Sequence, residues 1–182
     1  MSIYYLAKIK DKGVGIFASR FIGKDEHIFH VDLSNQPRYS RAQLDQIAAL
    51  DPDLDGDRSD YVGLAKYAFD NSPSAYMNHS CEPNCYIKMK SITVKDVYTL
   101  RDIEKGEELT HDYTATAVDQ FNGNGFWVLH CQCGSKYCRS EVTGDFLEMP
   151  ETWQRKYYPF LAPSIKRKYR DKFRRLREQK DK

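Results

Sequence analysis

The chain has 182 residues, of which 41% are hydrophobic, enough for one packed core with an appendage. With 30% charged and 13% aromatic residues, it is not a disordered chain, and no apolar run of about 18 residues could span a bilayer. The first ten residues lack the apolar core and cleavage site of a secretory signal, so we expect an intracellular protein without a membrane partner. Its five cysteines are then expected to be thiols or metal ligands rather than disulfides.

Charge is distributed unevenly along the chain. The formal net charge is +2, but residues 151–182 hold 12 Lys and Arg against 4 Asp and Glu, a net charge of +8. The first 150 residues therefore carry a net charge of −6. The basic segment is expected either to form a solvated helix face or to contact nucleic acid or an acidic protein surface.

Short β-type runs dominate the body of the chain and are separated by glycine-bearing turns. No alternation of strands and helices is visible, which argues against a doubly wound parallel sheet. The runs span residues 3–9, 27–33, 86–100 and 107–113, with turns at Gly13, Gly23 and Gly106.

One helix is predicted within the body. Ser40 and Gln43 have the spacing of a capping box, and the residues that follow form an apolar stripe. The stripe consists of Leu44, Ile47 and Ala48, and Asp51-Pro52 is expected to stop the helix.

Two further helices are predicted near the C-terminus. Pro150 can start a short helix that Pro159 ends. Residues 163–180 have a helical pattern whose apolar stripe should dock on the body or on another chain. This stripe is formed by Ile165, Tyr169, Phe173 and Leu176.

The strongest local signal is the C-x-C-x4-C cluster of Cys131, Cys133 and Cys138. Tetrahedral zinc needs four ligands, and closely spaced thiols around a glycine can supply three of them from one loop. The fourth ligand must come from elsewhere in the chain. The candidates are Cys81, Cys85, His79, His111 and His130, and three unrelated thiols remain the alternative.

The segment from Asn78 to Cys85 is predicted to be a tightly turned polar loop, because Pro83 excludes a helix interior. Such a loop can bind a polar ligand and offer a thiol to a metal. His79 and Cys81 also allow a second interpretation, a nucleophilic Cys–His pair.

Two further segments complete the pattern. Residues 106–113, with the sequence GEELTHDY, form a turn leading into a strand that ends on Tyr113. Residues 13–17, with the sequence GVGIF, contain a G-x-G that is more typical of a tight turn than of a ligand loop. They lack the third glycine of a dinucleotide site and the lysine of a P-loop.

These four segments, in this order, resemble the SET-domain family of protein lysine methyltransferases with a post-SET zinc segment. The resemblance covers roughly residues 1–145 and lies in N-H-S-C-x-P-N, G-E-E-L-T-x-D-Y and C-x-C-x4-C. It implies a mostly β fold with minor α, built of small curled sheets, with C-terminal helices added. It also implies that the segment around Asn78 and the one after Tyr113 thread together as a pseudoknot.

The resemblance further implies S-adenosylmethionine as the methyl donor and one structural zinc ion. Tyr113 matches the active-site tyrosine of the family, and His111 occupies the position that tunes how many methyl groups are added. Cys85 is then left over, as a small buried hydrophobe. The implied zinc ligands are Cys81, Cys131, Cys133 and Cys138, and the implied cofactor residues are Gly13, Val14, Gly15, Ile16, Phe17, Tyr76, Asn78 and His79.

Two departures from the family pattern affect this site. The family often has Arg-Phe ahead of Asn78, where this chain has Ala75-Tyr76, and it usually has Phe or Tyr at position 111. The implied organisation is a SET domain over residues 1–125 with a variable insert at about 32–75, a post-SET segment over 126–145, and a basic helical extension over 146–182.

The expected function is methylation of a lysine side chain in a protein, histone or non-histone. An idle SET module that binds a protein or chromatin is the alternative. The expected location is nuclear or chromosomal if the source is eukaryotic, and cytoplasmic otherwise.

Overall fold

The computed structural model describes residues 2–10, 13–50, 58–118, 120 and 126–177. The predicted mostly β fold with minor α is confirmed in these ranges. The strands are β1 (Tyr4–Ile9), β2 (Gly13–Ala18), β3 (His27–Asp32), β4 (Ser59–Gly63), β5 (Lys66–Phe69), β6 (Asn78–His79), β7 (Cys85–Met89), β8 (Val94–Thr99), β9 (Thr110–His111), β10 (Val128–His130) and β11 (Glu141–Thr143). The α-helices are α1 (Arg41–Leu50), α2 (Glu151–Tyr157), α3 (Pro163–Lys168) and α4 (Arg174–Arg177).

Two small antiparallel sheets form the centre of the molecule. Strands β1 and β2 make a hairpin, and β3, β8 and β7 make a three-stranded sheet in that order. Their inner faces bury a common apolar core, so the hairpin is held against the sheet by burial of apolar area. The core includes Ile16, Ala18, Phe29, Met77, Cys85, Val97 and Leu109.

A short parallel pair lies beside this core. Strand β6 pairs with β9, with Asn78 opposite Thr110 and His79 opposite His111. The pairing joins two segments that lie 32 residues apart in the chain, and it places the end of β9 beside the loop that follows His79. The partner strand precedes Tyr113, so this pairing does not test the predicted pseudoknot, which involves the segment after Tyr113.

Asn84 holds this arrangement from within the core. Its side chain is 3% exposed, donates to the Glu108 carbonyl at 2.7 Å and accepts from the Thr110 N–H at 2.9 Å. A buried amide that satisfies two main-chain groups is costly to remove, because both groups then lose their partner. Asn84 therefore ties the loop after β6 to β9.

We expect Asn84→Ala to lower the free energy of unfolding by about 2–4 kcal/mol. Asn71→Ala is the matched control, since Asn71 is exposed and its replacement should change the free energy by less than about 0.5 kcal/mol. Urea unfolding followed by circular dichroism measures both changes. Equal losses in the two variants would contradict the tying role of Asn84.

The insert between β3 and β6 carries helix α1 and the β4–β5 hairpin, and its Val62 and Ala68 pack on Val31 and Leu33. The predicted capping box is confirmed: Ser40 N–H donates to the Gln43 side chain at 2.8 Å, and Gln43 N–H donates back to Ser40 Oγ at 3.3 Å. Helix α1 buries Leu44 against Tyr61 and Tyr67 of the β4–β5 hairpin. The predicted stop at Asp51-Pro52 lies outside the described residues.

The C-terminal helices pack on the body of the same chain. The predicted start at Pro150 is confirmed by α2, and a 3₁₀ turn over Tyr158–Phe160 follows it. The predicted docking of the apolar stripe is also confirmed, because Ile165, Phe173 and Leu176 are buried. They share a cluster with Met89 of β7, Val118, Phe146 and Tyr157.

The prediction of a single continuous helix over residues 163–180 is wrong. The structure has two shorter helices, α3 and α4, separated by turns at 169–173. Like charges at Lys166 and Arg170, four residues apart, disfavour a continuous helix, and Phe173 is fully buried from a turn instead. Residues 178–180 lie outside the described residues, as does the predicted domain boundary at residue 125.

Among the described residues, no helix has both the length and the apolar character that a membrane span requires.

Candidate active site and thiol cluster

Tyr113 follows β9 directly and opens a 3₁₀ turn over Tyr113–Thr116. Its hydroxyl donates to the carbonyl oxygen of Met77 at 3.1 Å, and its N–H donates to Nδ1 of His79 at 3.2 Å. Met77 and His79 lie on either side of Asn78. The tyrosine is therefore anchored at both ends to the segment around β6.

His111 lies next to Tyr113, with ring centroids 4.9 Å apart. The strand that was predicted to end on Tyr113 ends at His111 instead, and Tyr113 is in a turn. Burial, with smaller effects of His79 and Lys95, lowers the pKa of His111 to about 3. The ring is neutral at pH 7, and its buried Nδ1 has no hydrogen-bond partner among the described residues.

Gly15 and Asn78, two of the predicted cofactor residues, meet at Glu108. The Asn78 side chain donates to Glu108 Oε1 at 2.7 Å. A Cβ at Gly15 would lie 2.9 Å from that oxygen and 3.1 Å from Asn78 Nδ2, so a larger residue would force these side chains to shift. The carboxylate and the amide thus pack against the buried main chain of Gly15.

The rest of the GVGIF segment forms strand β2 rather than a tight turn. Ile16 is fully buried, main chain included, and its carbonyl accepts from Leu109 N–H at 2.8 Å. Phe17 stacks on Tyr5 with centroids 5.6 Å apart. Gly13, at φ +77°, and Val14 begin the strand opposite Ile9 and Lys8.

Tyr76 lies one turn before β6, at the end of a 3₁₀ segment. Its hydroxyl accepts from Arg58 at 3.0 Å, and the guanidinium lies 5.8 Å from the ring centre. Arg58 of the insert thus places a cation beside Tyr76.

The four predicted metal ligands come together. The sulfur atoms of Cys81, Cys131, Cys133 and Cys138 all lie within 4.8 Å of one another, and Cys81 Sγ is 3.8 Å from Cys131 Sγ. Tetrahedral zinc with Zn–S distances of about 2.3 Å has S–S edges of about 3.8 Å. The geometry and the donor set can hold a metal ion of this kind.

The ionisation of the thiols also favours a cation at their centre. Burial disfavours the thiolate form of Cys133, but hydrogen bonds from the main-chain N–H groups of Cys81 and Ser135 lower its pKa to about 6. Burial raises the pKa of Cys131 to about 12, and the neighbouring thiols add to this effect. Four thiolates therefore require a positive ion to exist together.

His79 connects the thiol cluster to Tyr113. Burial lowers the pKa of His79 to about 4, so the ring is neutral at pH 7. Because Nδ1 accepts from Tyr113 N–H, the ring proton is on Nε2, which lies 3.3 Å from Cys81 Sγ. His79 thus donates to the sulfur, opposite to the role of the base in a nucleophilic Cys–His pair. Both side-chain nitrogens are engaged, so only the main chain of His79 remains for a cofactor.

An ion pair between Arg139 and the buried Asp112 makes a second connection. The guanidinium of Arg139, next to Cys138, donates to Asp112 Oδ1 at 2.7 Å. The main-chain N–H of Arg139 donates to Cys81 Sγ at 3.3 Å. Trp153 of α2 donates to Asp112 Oδ2 at 3.1 Å. Asp112 is 1% exposed and directly precedes Tyr113, so the cysteine loop and the C-terminal helices both meet the candidate active site.

Sequence reasoning did not identify Glu108, Asp112 or Arg139 as site residues. Glu108 and Asp112 lie within the GEELTHDY motif and Arg139 adjoins the cysteine cluster, so their proximity to named motifs was the available signal.

Cys85 is fully buried, as predicted, and burial raises its pKa to about 12. A cleft of about 530 Å³ beside Cys81 is lined by none of the predicted cofactor residues; its walls are Glu82, Pro83, Leu100, Arg101 and Lys156.

The SET domain family model matches residues 13–114, more than half of the chain. The chain belongs to the SET domain family. The match contains β2, β6, β9 and Tyr113, which are the elements that meet at the candidate active site.

Several curated histone-lysine N-methyltransferases are similar to parts of the chain. Trithorax of Drosophila virilis is 43% identical over 67 residues, which is 35% of this chain and 2% of that protein. Trr of Drosophila melanogaster is 30% identical over 149 residues, which is 74% of this chain and 6% of that protein. The chain therefore spans a small fraction of these relatives. A crystal structure described as that of a candidate histone methyltransferase from Plasmodium falciparum aligns with a TM-score of 0.44 and 23% identity, over 62% of this chain and 94% of that one.

Proposed function

We propose that this chain is an S-adenosylmethionine-dependent methyltransferase that acts on a lysine side chain of a protein. The observation that carries the proposal is the pairing of the Tyr113 hydroxyl with the Met77 carbonyl beside the neutral ring of His111. This arrangement offers a hydroxyl and a carbonyl to an amine within an aromatic surrounding. Membership of the SET family supports the same assignment.

Asn78, Glu108 and the accessible part of residues 13–17 are the groups proposed to hold the cofactor. The Glu108 carboxylate can pair with a cationic group, and Gly13, Val14 and Phe17 are the residues of this segment that solvent reaches. When bound, S-adenosylmethionine supplies an electrophilic methyl group for an in-line displacement by the amine. None of these groups requires a metal at the reacting centre.

The chain's own residues act on the amine. A lysine has a pKa of about 10.4, so fewer than about one in a thousand molecules is neutral and nucleophilic at pH 7. Removal from water beside Tyr113 and His111, together with the positive sulfonium of a bound cofactor, would disfavour the charged ammonium and lower that pKa. The Tyr113 hydroxyl and Met77 carbonyl then orient the neutral amine, and a fixed orientation supplies a large share of the acceleration.

We propose that the four-cysteine cluster binds one structural zinc ion. His79 and the Arg139–Asp112 pair link this cluster to the segment that carries Tyr113. The ion would therefore order the loop against the active site without taking part in methyl transfer. A histone or another lysine-bearing protein is the proposed substrate, and a nuclear or chromosomal location follows if the substrate is a histone.

His111→Phe is expected to shift the product towards higher methylation states. The buried Nδ1 of His111 can hold a water or a partly methylated amine, whereas phenylalanine has no polar atom to do so. Mass spectrometry of the product lysine measures the mono-, di- and trimethyl fractions. An unchanged distribution would remove His111 from the substrate channel.

Transfer of labelled methyl groups tests the proposed function. Zinc-loaded protein is incubated with labelled S-adenosylmethionine and with histones, ribosomal proteins or a cell extract. Label on a lysine-bearing protein that depends on the Tyr113 hydroxyl supports an active enzyme. Binding of cofactor or substrate proteins without any transfer would instead support an idle SET module.

A further inference from the structure

The C-terminal helices present a strongly basic surface that methyl transfer does not use. In the described stretch 151–177, ten basic residues stand against only two acidic ones, Glu151 and Asp171. Eight of the basic side chains are exposed, and we call them the C-terminal basic surface. They are Lys156, Arg167, Lys168, Arg170, Lys172, Arg174, Arg175 and Arg177.

Packing of the apolar stripe orients this surface outward. Ile165, Phe173 and Leu176 are turned into the body, so the charged positions between them face solvent. Arg155 fixes α4 by donating to the carbonyls of Arg175 and Leu176. The basic side chains therefore stand on a folded scaffold rather than on a loose tail.

The surface is connected to the active site through α2. Trp153 donates to Asp112, which precedes Tyr113, and Lys156 lies one turn further along the same helix. A partner held by the basic surface is thus held at a fixed position relative to Tyr113.

The composition of the surface indicates the class of partner. Protein interfaces usually have aromatic or large aliphatic side chains at their centre. Within residues 151–177, no large apolar side chain is among the exposed ones, whereas arginines and lysines are abundant. Interfaces with nucleic acid are polar and positively charged, and single-strand binding additionally uses exposed aromatic rings.

We propose that the C-terminal basic surface binds the sugar-phosphate backbone of a nucleic-acid duplex without reading its sequence. The net charge of −6 on residues 1–150 repels the same partner, so binding is confined to this face. Such binding goes beyond methyl transfer and does not depend on it.

Fluorescence anisotropy with a labelled DNA duplex tests the proposal in the full chain. The logarithm of the binding constant should fall with the logarithm of salt concentration with a slope of about −4, from roughly four to five phosphate contacts. The variant neutralises four basic residues, and the control neutralises four exposed lysines of the body. The variant is Arg167→Gln, Arg170→Gln, Lys172→Gln and Arg175→Gln; the control is Lys10→Gln, Lys24→Gln, Lys88→Gln and Lys105→Gln.

The variant should lose at least about tenfold in duplex affinity, and its salt slope should shrink by about one per lost contact. The control should change affinity by less than about twofold, and both proteins should keep the wild-type melting temperature. Equal losses in variant and control would overturn the proposal. Tighter binding to polyglutamate than to the duplex would assign the surface to an acidic protein, and tighter binding to single-stranded RNA would exclude a duplex partner. Comparable binding of DNA and RNA duplexes fits a backbone reader.

Discussion

Replacing Tyr113 by Phe is expected to reduce the methyl-transfer rate by about 100-fold or more while affinity for S-adenosylmethionine changes by less than about threefold. The substitution removes the hydroxyl that donates to the Met77 carbonyl at 3.1 Å and keeps the ring that packs against His79 and His111. Because one positioned hydrogen bond acts on the reacting groups, its loss affects the turnover rate more than ground-state binding.

Tyr98→Phe is the matched control for this experiment. Tyr98 lies on β8, where its ring stacks on Tyr86, away from the segment around β6. Single-turnover kinetics measures the rate, and calorimetric titration measures cofactor affinity. A Tyr113→Phe enzyme with normal turnover, or one in which rate and cofactor affinity fall together, would contradict the positioning role of the hydroxyl.

Loss of one cysteine ligand is the second change with a large expected effect. Cys81→Ser should abolish stoichiometric zinc and lower the melting temperature by 10 °C or more, on the order of the several kcal/mol that a structural zinc site contributes. Cys81 comes from the loop after β6, whereas the other three thiols lie about 50 residues later. The metal would therefore cross-link distant parts of the chain.

Cys85→Ala provides the control, because Cys85 is a buried thiol outside the cluster. It should lose some stability through its smaller side chain and still bind one zinc ion per chain. Elemental analysis of purified protein and thermal unfolding with and without a chelator give both readouts. Full zinc content in Cys81→Ser, or no zinc in the wild type, would contradict the assignment.

Structural features that are formed by neighbouring residues were predicted correctly from the sequence. The capping box at Ser40, the helix start at Pro150 and the cluster of three cysteines were all predicted from neighbouring residues. In each case the interacting groups are within about eight residues of one another, so spacing alone restricts their geometry. The family resemblance added Cys81 as the fourth ligand, which spacing alone had left open.

Contacts between distant segments could not be predicted in the same way. Asn78 binds Glu108 from 30 residues away, and Trp153 binds Asp112 from 41 residues away. Such pairs depend on how sheets and helices pack, and many other carboxylates in the chain offered the same chemistry. The break after α3 was also missed, because the apolar stripe of a helix continues across it from Ile165 to Leu176.

Tandem mass spectrometry of the product formed by zinc-loaded protein, S-adenosylmethionine and histone tests lysine methylation most directly. We expect methyl groups on the side-chain nitrogen of a lysine, formed by the wild type and reduced at least about 100-fold by Tyr113→Phe. Methylation of another residue type, or the same lysine product at an undiminished rate from Tyr113→Phe, would contradict it.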